Sequence, residues 1–196
     1  MEFPIPLEVK TVTGALRNSG YEAYLVGGCV RDLLLGRTPK DWDVTTNAKP
    51  EDIVRVCPES FYENDFGTVG VKTGSEDMRL AIIEVTPYRT ESSYSDKRRP
   101  DAVSFGDNLE EDLARRDFTI NAIALDESKG QIIDPYKGQK DIELMVLRTV
   151  GSPAERFEED ALRLMRAIRL VAELDFALDS DTAAAIKEKA SNLSHV

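Results

Sequence analysis

The chain has 196 residues, 41% of them hydrophobic, and a formal net charge of −11. That length suits one domain with an appendage and is enough for a real core. No run approaches the roughly 18 consecutive apolar residues of a membrane span. The acidic balance argues against a general binder of phosphate backbones, which needs a basic surface.

The N-terminal stretch MEFPIPLEVK has no basic segment followed by an apolar run, so no secretory signal is read there. Cys29, Cys57 and the single histidine, His195, share no metal-ligand spacing. They argue against a zinc site and fit two reduced, buried thiols in a cytoplasmic protein.

Residues 7–18 read as a short helix broken at Ser19-Gly20. Tyr24-Leu25-Val26 is a β-prone run ending at Gly27-Gly28. Cys29 to Leu35 reads as a helix closed by Gly36. Residues 42–46 are strand-like, and Pro50 opens a helix that Pro58 stops. Residues 69–72 and 80–85 read as strands separated by the turn Gly74-Ser75-Glu76-Asp77. From Tyr88 to Phe105 the chain is polar without periodicity and is predicted to be a long functional loop. An apolar run follows from Phe118 to Ala124, then a short strand-like piece at Ile132-Ile133-Asp134. After Gly151-Ser152-Pro153 the pattern is continuous helix. Ala161, Leu164, Met165, Ile168, Val171 and Ala172 are expected to form its apolar face. A further helix is predicted from about Asp179 toward Lys189.

Five clusters carry chemistry. In Asp41-Trp42-Asp43, alternate strand positions share a face, so both carboxylates can meet one cation while Trp42 fills the core. Two hard oxygen donors suit Mg²⁺; alone, the pair reads equally as a solvated strand end. Gly27 and Gly28, leading into Arg31, let backbone N–H groups and a guanidinium approach a triphosphate, or are simply a turn. Glu84 interrupts an apolar run. It is either a strand-end carboxylate reaching water or a third acid beside the pair, ligating metal or taking a proton. In Arg115-Arg116-Asp117-Phe118-Thr119-Ile120-Asn121, Arg116 can hold phosphate. Asp117 and Asn121 can bond a ribose hydroxyl or brace the loop. On the predicted helix, Asp160, Arg163, Arg166 and Arg169 fall away from the apolar face, and Asp160 with Arg163 can present an acceptor and donors to a base edge.

Taken together, Leu25-Val26-Gly27-Gly28, Arg31-Asp32, Gly36, Asp41-x-Asp43, Arg115 through Ala122, and Glu159-Asp160-x-x-Arg163-x-x-Arg166 resemble the class II tRNA nucleotidyltransferases, the CCA-adding enzymes, and their poly(A) polymerase relatives. The resemblance implies an α+β fold. A nucleotidyltransferase head with a small mixed sheet flanked by helices would span 1–150. An all-helical neck would span 151–196, ending before the body and tail that hold tRNA. It implies Mg²⁺ on Asp41 and Asp43, with Glu84 as a third catalytic acid. It implies an incoming nucleotide on Gly27, Gly28, Arg31 and Arg116, with Asp117 and Asn121 alongside. Asp160 and Arg163 would read the edge of CTP or ATP, with Arg166 and Arg169 nearby. The stretch 88–101 resembles the loop tied to the switch from C to A addition, and its full length favours complete CCA addition to a tRNA 3′ end. Absent body and tail would also reconcile the acidic charge with a nucleic-acid substrate. The alternatives are a poly(A) polymerase, a CC- or A-adding relative, and a non-catalytic nucleotide-binding module.

Overall fold

The computed structural model describes residues 3–63, 67–91 and 103–195. In chain order they form α1 (Leu7–Asn18), β1 (Ala23–Val26), α2 (Gly28–Leu34), β2 (Asp43–Thr46), α3 (Pro50–Val56), β3 (Ser60–Tyr62), β4 (Val69–Lys72), β5 (Ile82–Pro87), β6 (Arg89–Glu91) and β7 (Val103–Phe105). Then come α4 (Leu109–Ala114), a 3-10 turn (Thr119–Asn121), β8 (Ala124–Asp126), β9 (Gln131–Ile133), α5 (Gly138–Glu143) and β10 (Val146–Leu147). Last are α6 (Pro153–Glu159), α7 (Leu162–Leu174), β11 (Ala177–Leu178), α8 (Ser180–Lys189) and a terminal 3-10 stretch (Ala190–His195).

The main sheet has the order β3-β4-β5-β2-β1-β8-β9. Its β2 and β5 run parallel, and the other neighbours are antiparallel. This is the mixed, helix-flanked α+β architecture expected from the sequence. Strand alternation sorts its two faces. Leu25, Val44, Val69, Val71, Ile83 and Val85 are buried with Val9, Val12 and Leu16 of α1, Val30 and Leu33 of α2, and Ile53 of α3 in one core. The opposite face carries Asp43, Thr45, Glu84 and Thr86. Over β1 and β8 that face is closed by Leu113 of α4, packed on Val26 and Ala124. Over β5 it stays open: Ile82 and Glu84 are exposed.

Several expectations are corrected. β5 begins at Ile82 rather than Leu80, because residues 77–81 form a turn in which Leu80 N and Ala81 N donate to Asp77 O. The stretch 88–105 is not loop throughout: β6 and β7 pair antiparallel, and Tyr88 is buried with its hydroxyl donating to Glu22. Residues 92–102, the rest of that stretch, lie outside the described residues. The helix after residue 151 is broken, because Asp160 adopts extended backbone (φ −138, ψ 105) between α6 and α7.

The apolar face of α7 also differs. Met165 and Ile168 are 55% and 50% exposed, and Ala172 is exposed as well. The buried stripe is Leu164, Ala167, Leu170 and Leu174. Ala161 and Leu164 pack with Phe157 and Ala185, whereas Ala167, Leu170 and Leu174 join the core beneath the sheet. What α7 lies against on two sides selects this stripe over the equally apolar one beside it. Across residue 150, β10 pairs parallel with β11, and Arg148 bridges Asp141 and Asp179.

Candidate active site

β2 starts at Asp43, so Asp41 lies in the bend before the strand rather than on it. The alternation still reaches back to it. Glu84 N donates to Trp42 O at 3.1 Å, one residue beyond the strand proper, and Trp42 turns into the core at 3% exposure. Both carboxylates therefore face the glycine turn. A Cβ added to Gly28 would lie 3.9 Å from Asp41 Oδ1, and one added to Gly27 would lie 3.4 Å from Asp43 Oδ2. Gly27 has φ 78, and it precedes α2 without a side-chain cap. That conformation suits glycine, and it leaves the first N–H groups of the helix without a side-chain acceptor.

A cleft of about 460 Å³ opens beside this turn. Gly28, Arg31 and Asp32 line it from α2; Lys40, Asp41 and Asp43 from the approach to β2; Asn121 from the 3-10 turn; and Arg166, Arg169, Leu170 and Glu173 from α7. Arg31 is fixed as a wall of the cleft. Its Nε and Nη2 donate to Asp32 Oδ1 at 2.9 and 2.7 Å, and its Nη1 donates to Asn121 Oδ1 at 2.9 Å.

Arg116 reaches the same turn from the sheet side, its Nη1 also 3.4 Å from the Cβ position of Gly27. Asp117 and Asn121 brace each other beside the cleft, which Asn121 also lines. Asp117 Oδ1 accepts from Phe118 N at 2.8 Å and from Asn121 Nδ2 at 3.4 Å, and Asp117 Oδ2 lies 2.8 Å from Arg166 Nη2.

Glu84 is exposed on the open face, so its carboxylate reaches water there. Register nevertheless sets it opposite Asp43. Burial, then Glu84 and Asp41, push the Asp43 carboxyl up to about 7, and Arg116 opposes them. Partial burial, Glu63 and Asp41 raise Glu84 as well. Among the described residues, no three His, Cys, Asp or Glu side chains are grouped closely enough to hold a metal ion by themselves.

At the far end, Arg163 does not lie away from the apolar stripe as the helical wheel implied. It is 7% exposed. Its Nη1 donates to Glu159 Oε2 at 2.6 Å and to Arg156 O, and its Nη2 donates to Arg115 O at 3.4 Å. The break before α7 moves Asp160 off the helix, leaving its Oδ2 4.0 Å from Arg163 Nε. Burial raises the Asp160 carboxyl.

A model of the poly A polymerase head domain matches residues 23–148. The chain belongs to the poly A polymerase head domain family. Within this family it is 48% identical over 187 residues to a CCA-adding enzyme of Geobacillus kaustophilus, covering 92% of this chain and 44% of that protein. A CCA-adding enzyme of Listeria monocytogenes is 46% identical over 191 residues, covering 96% of this chain and 47% of that protein. The fold superposes on the crystal structure of the Bacillus stearothermophilus CCA-adding enzyme in complex with CTP with a TM-score of 0.86, at 44% identity, covering 98% of this chain and 46% of that one. A tRNA nucleotidyltransferase complexed with a primer tRNA and an incoming ATP analog gives a TM-score of 0.69 at 29% identity, covering 92% and 50% of the two chains. The chain thus spans a little under half the length of the curated relatives it matches.

Three pairings around the site were not found from sequence. Lys40 and Glu173 form an ion pair across the cleft rim. Asp112, fully buried, holds both Arg115 and Arg116. Glu159 orients Arg163. Of these, Asp112 and Glu159 left a sequence signal: each precedes the arginine it holds by three or four residues, the helical contact spacing. Both thiols are buried and free, as expected, and burial pushes Cys29 up to about 12. No helix among the described residues is long and apolar enough to cross a membrane.

Proposed function

We propose that this chain is the nucleotide-transferring part of a cytoplasmic CCA-adding enzyme, which extends a tRNA 3′ end with C and A from CTP and ATP and releases pyrophosphate. One observation carries the reading. Two carboxylates, Asp41 and Asp43, converge on a glycine turn that a guanidinium-walled cleft adjoins. The CCA-adding names of the relatives, including one solved with CTP, support the substrates.

The donor set fits Mg²⁺. Asp43 is held near neutral pH by burial and by the acids around it, which is the electrostatic load a divalent cation relieves. Asp41 and Asp43 would hold the ion alongside substrate phosphates, the donor set Mg²⁺ usually takes. When bound there, Mg²⁺ would neutralise the developing charge on the α-phosphate and on the leaving pyrophosphate.

The protein's own groups do the rest. Gly27 and Gly28 admit the triphosphate, and Arg31 and Arg116 flank it. The primer 3′-hydroxyl oxygen forms a bond to the α-phosphorus as the bond to the pyrophosphate oxygen breaks. Glu84, its proton affinity raised, takes the hydroxyl proton from the open face. Asp160 and Arg163 read the base edge, with Arg166 and Arg169 lining the route between base and phosphates. Fixed positions and preorganised charge supply most of the rate.

Incubating this chain with tRNA lacking its 3′ end, labelled CTP and then ATP tests the reading. Incorporation of C followed by A with pyrophosphate release is expected. Incorporation of A alone favours the poly(A) polymerase reading, which the family description supports. Nucleotide binding without any pyrophosphate release on a good primer would overturn the enzymatic assignment.

A further inference from the structure

We propose that Asp112 is a positioning residue that sets Arg116 for the triphosphate and ties it to the strand carrying Asp43. The proposal rests on the reading of Arg116 as a phosphate ligand. Asp112 is fully buried on α4. One carboxylate oxygen, Oδ1, accepts from Arg115 Nε at 3.0 Å and Nη2 at 2.6 Å. The other, Oδ2, accepts from Arg116 Nη2 at 3.0 Å and from Thr45 Oγ1 at 3.2 Å. Thr45 is itself fully buried, on β2 two residues past Asp43. Alternation therefore places Asp43 and Thr45 on one face, and Asp112 docks α4 onto that face.

The consequence is geometric. Arg116 Nη2 is anchored at Asp112, and Arg116 Nη1 lies over Gly27 beside Asp43 Oδ2. Arg115, held by the same carboxylate, offers its carbonyl to Arg163 Nη2. One buried charge thus fixes the guanidinium that faces the phosphate end of the site. Burial alone would raise the carboxyl, but Arg116 and Arg115 beside it hold it below its usual value. A buried acid between two guanidiniums is ionised, and removing its charge leaves the arginines without their anchor. Arg116 can then swing toward water. A supporting group of this kind acts on affinity without touching the ligand.

The test is equilibrium binding of CTP and of cytidine to this chain and its variants, with folding checked by circular dichroism. Arg116→Ala comes first. If it leaves CTP affinity unchanged, the phosphate-site reading of Arg116 fails, and the proposal falls with it. If it weakens CTP, Asp112→Asn is expected to weaken CTP about tenfold or more while leaving cytidine within about twofold, because the lost contact is to a charged group on the phosphates. Asp112→Asn in the Arg116→Ala background is expected to add little, since coupled residues are not additive. Asp112→Glu, which keeps the charge, is expected to recover part of the CTP affinity. Should Asp112→Asn fail to fold, Thr45→Val, which removes only the hydroxyl donor, is expected to weaken CTP by a few fold and leave cytidine alone. Equal loss for CTP and cytidine, additivity with Arg116→Ala, or unchanged CTP affinity in folded variants would each overturn the positioning role.

Discussion

Arg166 on α7 reaches Asp117 beside the 3-10 turn, Nη2 to Oδ2 at 2.8 Å. Asp117 in turn contacts Asn121, and Asn121 accepts from Arg31 in the cleft wall. A polar chain thus runs from the helix expected near the base to the guanidinium expected at the phosphates. Arg166 is 51% exposed and Asp117 only 6%, so the two ends of the pair have unequal weight. Arg166→Ala should cost under about 1 kcal/mol of stability, as half-exposed ion pairs do. Asp117→Ala should cost roughly 2 kcal/mol, because it also strips the acceptor from Phe118 N and Asn121 Nδ2. Both should weaken CTP binding. Urea denaturation beside CTP titration separates the effects, and an Arg166→Ala chain with wild-type CTP affinity would count against the coupling.

Loss of either acid at the glycine turn should end nucleotide transfer. Asp41→Ala and Asp43→Ala are expected to remove Mg²⁺-dependent incorporation by at least about a thousandfold, the scale of a lost electrostatic clamp, with the circular dichroism spectrum unchanged. Mg²⁺-dependent activity persisting in either purified variant would refute their role.

Asp43 makes a prediction about pH. Its carboxyl rises from 3.8 in the unfolded chain to about 7 in the fold. A carboxylate whose folded value is raised favours folding when protonated. Its contribution is therefore full below about 4 and is lost as pH climbs through 7. At pH 8 without metal, ionised Asp43 should destabilise the fold by on the order of 2 kcal/mol, about half the full linkage value, because the side chain keeps some contact with water. Asp43→Asn should then be the more stable protein at pH 8, with the difference vanishing near pH 4. Thermal melts across that range check it, and a gap that widens toward acid would contradict the sign. In transfer assays the same group predicts an acid limb that Mg²⁺ moves to lower pH.

Gly138 makes the last. A Cβ there would lie far inside van der Waals contact distance of the Thr119 carbonyl oxygen and 2.8 Å from Ile123 Cγ1. Backbone cannot yield as a side-chain end can, so Gly138→Ala should destabilise by roughly 2–4 kcal/mol and displace the turn carrying Asn121. A melting temperature within a degree or two of wild type would show that α5 can move aside.

The order of elements up to Lys72 was largely legible because its signals are local. Pro50 opens a helix, Gly27 ends a strand, and residues 69–72 read as a strand in the sequence and form one in the fold. The carboxylate pair was legible for the same reason, since alternation along five or six residues is a local property. The break at Asp160 was not legible, because Glu159 to Arg169 has uninterrupted helical propensity. α6 and α7 pack on different surfaces, Phe157 and Ala185 for one and the sheet core for part of the other, and that redirection needs a corner.

By itself, then, the sequence determined which residues are chemically able to serve: two acids at alternate positions, a glycine pair, and arginines following aspartates at helical spacing. Only the tertiary structure decided which of them work together. It set Glu84 against Asp43 through strand pairing between segments forty residues apart. It turned Arg163 inward and Met165 and Ile168 outward, and it buried Asp112 between two guanidiniums. Burial and long-range register depend on what each face meets in the folded chain, and no window of neighbouring residues contains that information.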